Sequence, residues 1–266
     1  MEVKMKIGMP ALIEYNTVED NVLLCKKLGF DFIELNMNFP YNMIENLDPS
    51  YIKKLSSQNN IKFTMHMPDD ADIGSFYPDV RNAYVKLFLD TIKWANEADI
   101  TLINMHIVKG AHMTLPDKKV YINEKYSDEY NNNFISSLKI ISQEAVKNNI
   151  FICIENSSNF ELEYVQHILD KALYLDNIYL TWDVGHDYIS NYTDKDVLFK
   201  YKNRIKHMHL HDANKDSDHL ALFEGDLNIR ELLKFANKNN LSTLVEVKNI
   251  IELTKSKEQL NKNLVK

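Results

Sequence analysis

The chain has 266 residues, of which 45% are apolar and 26% charged, proportions that exclude a disordered, collagenous or coiled-coil protein. Its 38 acidic side chains against 31 basic ones give a net charge of −7, which argues against a broad nucleic-acid surface. Two cysteines, Cys25 and Cys153, cannot build a disulfide framework or a cysteine-rich zinc site.

From the N-terminus onward, short apolar, β-branched or aromatic runs alternate with longer stretches of helical spacing. Val3–Met9 predicts a first strand, followed by a helix opened by Thr17-Val-Glu-Asp20, a variant capping box, and ended near Gly29. Phe30–Asn36 predicts the second strand. Pro49 stands in the first turn of a helix over Tyr51–Gln58, and Lys62–Met67 predicts the third strand. Pro78 opens a long helix over Asp79–Asn96, and Thr101–Ile107 is the fourth strand.

Val108–Tyr126 reads as a long polar loop containing Gly110 and Pro116. Helices over Ser127–Asn149, Glu161–Leu173, Asp194–Lys200 and Leu227–Asn239 then alternate with strands Ile150–Glu155, Ile178–Asp183, Ile205–Leu210 and Thr243–Val247. Eight strands alternating with helices, without a linker or a compositional break, predict an α/β fold: a single (β/α)8 TIM barrel spanning residues 1–266 as one domain. An open doubly wound sheet is the competing architecture, but no Gly-x-Gly-x-x-Gly follows the first strand, so no nucleotide cofactor is expected. No stretch reaches the roughly 18 apolar residues of a membrane span, and Met1–Lys6 carries no leader signal. A cytoplasmic protein without a membrane partner is the expectation.

Active sites of such barrels lie where strands end at their C-terminal rim. Here those ends carry His66, His106, Glu155, Asp183, His209 and Glu246 on six consecutive strands, and Glu34 can add another. A lone strand histidine is most often a hydrogen-bonded core residue. Carboxylates and imidazoles converging on one buried point, however, cost several kcal/mol unless a cation joins them. Two Glu, one Asp and one His form a mostly oxygen donor set, suited to Mn²⁺, Co²⁺, Mg²⁺ or Zn²⁺. In His207-Met-His-Leu-His211, alternation points residues 207, 209 and 211 to one side. His209 is expected at rim height, with His207 deeper and His211 beginning the loop. His112 and His167 read as surface residues.

Together, His66-Met-Pro, Asn104-Met-His106, Ile154-Glu-Asn156, Asp183-Val-Gly-His186, Met208-His-Leu-His-Asp212, Asp218-His-Leu220, Glu224-Gly-Asp226 and Val245-Glu-Val247 resemble the xylose isomerase-like barrels, which include sugar and sugar-phosphate isomerases, epimerases and the endonuclease IV group. For the isomerase branch the resemblance implies a divalent metal on Glu155, Asp183, His209 and Glu246, with Glu155 and Glu246 exchanging a proton with a small sugar or sugar-phosphate substrate. It implies that His186 binds a substrate oxygen. Ketose 3-epimerases carry a substrate-binding arginine where this chain has Lys215, which keeps the charge but lacks the bidentate fork.

The alternative is an endonuclease IV-like zinc phosphodiesterase acting on DNA, for which His66, His106, Glu155, Asp183, His186, His209, His219 and Glu246 match ligand positions. Ser217 replaces a ligand aspartate of that group, and Asp69 replaces a DNA-facing tyrosine, where it would repel phosphate. Nucleic acid is accordingly the disfavoured partner. Related barrels are often dimers or tetramers, so a homo-oligomer stays open.

Overall fold

The computed structural model describes residues 5–264. In chain order the elements are β1 (Ile7–Pro10), α1 (Val18–Leu28), β2 (Phe32–Asn36), α2 (Pro49–Asn59), β3 (Lys62–His66), α3 (Pro78–Glu97), β4 (Leu102–His106), β5 (His112–Thr114) and β6 (Lys119–Tyr121). They continue with α4 (Ile122–Lys125), α5 (Ser127–Lys147), β7 (Phe151–Glu155), α6 (Glu163–Ala172), β8 (Ile178–Asp183), α7 (Val184–Ile189) and α8 (Thr193–Lys200). The last are β9 (Ile205–Leu210), α9 (Ile229–Lys238), β10 (Ser242–Val245) and α10 (Ile250–Leu264).

Eight parallel strands close into a barrel in the order β1-β2-β3-β4-β7-β8-β9-β10, with β10 pairing back onto β1. This is the expected (β/α)8 architecture. Helix starts follow the local chemistry read from the chain. Thr17 caps α1 by accepting the Asp20 N–H at 3.2 Å, and α1 ends at Gly29, whose left-handed φ of 70° favours glycine. Asp48 accepts the Ser50 N–H at 2.9 Å at the start of α2, with Pro49 in its first turn. Among the described residues, no helix is long and apolar enough to cross a membrane.

Three expectations change. The first strand begins at Ile7 rather than Val3, and Val3 and Lys4 lie outside the described residues. The presumed loop over residues 108–126 contains the antiparallel hairpin β5–β6 and the short helix α4. Its strands are three residues each and solvent-facing, so no buried apolar run announces them. Finally, the chain continues after β10 into α10, which seals the barrel with Leu253 and Leu260. Its sparse apolar residues, spread among Lys, Glu and Asn, hide the helical stripe.

The barrel register positions the chemistry. Asn36 pairs with His66 and His66 with Asn104, His106 with Glu155, and Asp183 with His209. Apolar side chains fill the layer between strands and helices. Within the barrel lies a polar column: Glu34, Thr64, Asn104, Thr181, His207 and His209 are all buried there. Such groups are tolerated only when they satisfy one another.

Candidate metal centre and substrate pocket

Glu155, Asp183, His209 and Glu246 come from the ends of β7, β8 and β9 and from just past β10. Each offers one donor atom, and the four atoms lie within 4.8 Å of one another. His209 is the hub. Its Nδ1 is 3.1 Å from Glu155 Oε1 and 3.0 Å from Glu246 Oε2. Its Nε2 faces Glu34 Oε1 at 3.2 Å, and Thr64 donates its hydroxyl to Glu34 Oε2 at 3.2 Å. With Glu34 facing Nε2, a proton on that nitrogen leaves the Nδ1 lone pair aimed at the acidic cluster, the arrangement a metal ligand needs.

Asn104 ties the site sideways. It donates to Glu155 Oε2, and its carbonyl accepts the Thr181 hydroxyl at 2.6 Å. Asp183 doubles as the N-cap of α7, accepting the His186 N–H through Oδ1 at 2.7 Å.

A cation suits this set. Asp183 Oδ2, His209 Nδ1 and Glu246 Oε2 are buried without a hydrogen-bond partner, although buried polar atoms are ordinarily paired. Burial alone would raise the three carboxylates, yet their neighbours reverse the direction. His209 and His106 hold Glu155 far below the usual range, His186 and His211 lower Asp183, and His209 and Lys248 hold Glu246 far down. Conversely, burial would lower His209, but Glu155, Glu246 and Glu34 drive it well above the ordinary imidazole value. Glu155, Glu246 and Glu34 thus favour positive charge at the hub of the cluster.

Around this centre sit the other histidines. His66 Nδ1 is 2.7 Å from the Met67 carbonyl, so that nitrogen donates, and its Nε2 is 3.3 Å from Glu155 Oε2. Burial opposes protonation of His66, but Glu155 raises it to about 9. His106 lies tilted against His66 with ring centres 4.9 Å apart, and burial lowers it. His66, His106 and Glu155 also bring one donor atom each within 4.8 Å, so Glu155 belongs to two such groups. His186 and His219 face one another edge to face at 5.5 Å on the far side of Asp183.

Lys215 lies exposed on the loop between β9 and α9, away from any ion pair among the described residues. The cation at the centre is instead Lys248, 2.7 Å from Glu246 Oε1. His207 is deeper, as expected, with its Nε2 3.6 Å from Glu34. His211 begins the loop but is fully buried, and His112 and His167 are exposed. The proximity of Glu34 to His209 and the burial of His211 go beyond what the sequence predicts. The strand alternation that placed residues 207, 209 and 211 on one side was their signal.

A cavity of about 420 Å³ opens onto the centre, lined by Ile13, Asn36, Phe39, Asp69, Glu246 and Lys248. A larger one, about 530 Å³, lies at the opposite barrel end beside Phe32, Lys62 and Lys206. The smaller cavity is the better site because Glu246, with Glu34 and His66 beside the cluster, lines it at the C-terminal rim.

Residues 22–260 match the family model of the xylose isomerase-like TIM barrel. The chain belongs to this family. A member-like structure, a D-tagatose 3-epimerase-like protein, superposes with a TM-score of 0.79 at 25% identity, covering 98% of this chain and 97% of that one. D-psicose 3-epimerase of Clostridium cellulolyticum H10, solved with D-tagatose, gives a TM-score of 0.74 at 14% identity over 98% of each chain, a likeness of fold alone. An uncharacterized protein of Methanocaldococcus jannaschii is 28% identical over 231 residues, 80% of this chain and 74% of its own. Sugar epimerases of the xylose isomerase-like family are thus among its structural neighbours.

Proposed function

We propose that the protein is a divalent-metal-dependent isomerase or epimerase acting on a sugar, sugar phosphate or related polyol. The observation that carries this reading is the convergence of Glu155, Asp183, His209 and Glu246, with three of their donor atoms buried and unpaired. When bound there, a divalent ion would polarise a substrate carbonyl and its adjacent hydroxyl, making the intervening C–H acidic.

Glu155 and Glu246 flank His209 and act as the proton pair, one taking the substrate proton and the other returning it. Asn104 and His66 orient Glu155, and Lys248 holds Glu246 ionised at the cavity mouth. Asn36 and Asn38 offer amides to sugar hydroxyls, and the Phe39 ring offers an apolar wall. His186, at the entrance to α7, supplies a further polar contact to substrate. The test is metal analysis of the purified protein, followed by a ketose panel assayed for deuterium uptake from heavy water. Uptake at a carbon beside the carbonyl supports the reading, and a metal-loaded protein inert toward every ketose opposes it.

One observation favours a second reading. His66, His106 and Glu155 form another donor group that shares Glu155 with the first, the arrangement a multinuclear zinc phosphodiesterase requires. Against it, Asp69 places a carboxylate 3.8 Å from His66 and 4.0 Å from His106, in the cavity where a phosphodiester would sit. Stoichiometry separates the two: one ion per chain supports the isomerase, and two or three zinc ions support phosphodiester hydrolysis.

A further inference from the structure

We infer that His211 is a positioning residue that fixes the donor oxygen of Asp183, an inference that rests on the metal reading proposed above. Strand alternation carries this third imidazole of His207-Met-His-Leu-His211 past the end of β9, yet its ring is wholly buried. Its Nδ1 accepts the backbone N–H of His219 at 2.9 Å, a closer contact than the Asp212 carbonyl at 3.3 Å, so the ring proton is assigned to Nε2. That nitrogen is 3.1 Å from Asp183 Oδ1 and donates to it. Oδ1 also accepts the His186 N–H at 2.7 Å. Two donors on one oxygen leave Oδ2 buried and unpaired, and this is the atom available to a cation.

Two features of the surrounding chain exist for this ring. A Cβ on Gly185 would lie 1.9 Å from His211 Cε1, so the glycine of Asp183-Val-Gly-His186 makes room for the imidazole. His219, stacked on His211 with ring centres 3.9 Å apart, adopts a left-handed backbone with φ of 50°. From there its Nδ1–H donates to the Glu246 carbonyl at 2.9 Å while its backbone N–H reaches His211. The sequence of contacts Glu246–His219–His211–Asp183 thereby joins the ends of β10, β9 and β8, three strands that carry proposed ligands. His211 offers a donor atom within 4.8 Å of His186 and His219, but both of its nitrogens are engaged, so it acts through Asp183 rather than as a ligand.

The experiment titrates Co²⁺ into the ion-free full-length protein, with a competing chelator to read affinity and the visible absorption of bound Co²⁺ to read ligand geometry. Thermal melts confirm folding of each variant. His211→Leu, which fills the space without a donor, is expected to weaken Co²⁺ binding about 10- to 100-fold and to change the visible spectrum. His211→Gln, whose amide nitrogen replaces the Nε2 donor, is expected to retain both affinity and spectrum. A folded Leu variant with the parent's affinity and spectrum overturns the inference, as does a folded Gln variant weakened as much as Leu. If the Leu variant does not fold, His211→Met, which likewise lacks a donor, takes its place in the comparison. Failure of the unsubstituted protein to take up Co²⁺ would instead refute the metal reading.

Discussion

His209 Nδ1 and Glu246 Oε2 lie 3.0 Å apart and form no hydrogen bond. A close polar approach without bonding geometry, between two buried atoms, is what two lone pairs directed at a common cation produce. Glu155, Glu246 and Glu34 also raise the affinity of His209 for a proton, which competes with a cation for the same nitrogen.

A dependence on pH follows from this competition. The proton and the metal contend for the same nitrogen, and the raised affinity of His209 for a proton extends the contest above the ordinary imidazole value near 6.5. Metal binding should therefore release about one proton per ion, and affinity should fall as pH falls. Calorimetric titration in buffers of different ionisation enthalpy measures the release. Binding enthalpies independent of the buffer would contradict it.

Glu34 orients His209 through Nε2 at 3.2 Å. Replacing it, as Glu34→Gln, keeps the shape but removes the carboxylate that makes the ligand more basic. Metal affinity is expected to drop about 10- to 100-fold, as read by chelator competition. An unchanged affinity would show that His209 needs no such partner.

The two flanking glutamates carry the proton transfer. Glu246→Gln is expected to abolish deuterium incorporation at the substrate carbon while leaving the melting temperature near that of the parent. Full exchange in this variant would refute its acid–base role.

Lys248 lies 2.7 Å from Glu246 and helps to hold its carboxyl down, after His209. Lys248→Met removes that influence, so Glu246 should take up a proton at higher pH. The acidic limb of the activity profile is expected to move upward in pH. A limb that stays in place, or moves to lower pH, would exclude Glu246 as the group titrating there.

Gly185→Ala places a methyl group on the His211 ring. Overpacking of this kind costs about 1–3 kcal/mol, and denaturant unfolding of the ion-free protein should register it. A variant as stable as the parent would mean that the ring moves freely, contrary to its two hydrogen bonds.

Much of this candidate site is legible in the sequence. Strand-end residues such as Glu155 and Asp183 close apolar runs whose length and β-branched content identify buried parallel strands, and the barrel then brings them together. Two-residue alternation likewise assigned His207, His209 and His211 to one side. What the chain alone could not supply was hydrogen-bond direction. Nothing local in the sequence says that Glu34, 175 positions before His209, will face its Nε2. Nor does it say that a left-handed turn at His219 will engage Nδ1 of His211. Lys215 was singled out by its position after His209, whereas Lys248, two residues beyond Glu246, is the cation that reaches the centre. The helix α10 escaped notice because its buried Leu253 and Leu260 stand among long polar side chains, too few to mark a stripe.

The most direct measurement is the divalent metal content of the purified protein beside that of Asp183→Asn, with Co²⁺ uptake by each after chelator treatment. One tightly held ion per chain in the parent, and a large loss of affinity in the folded variant, are expected. A folded parent that neither retains nor takes up an ion, or a variant that binds as tightly as the parent, would contradict a shared cation at Glu155, Asp183, His209 and Glu246.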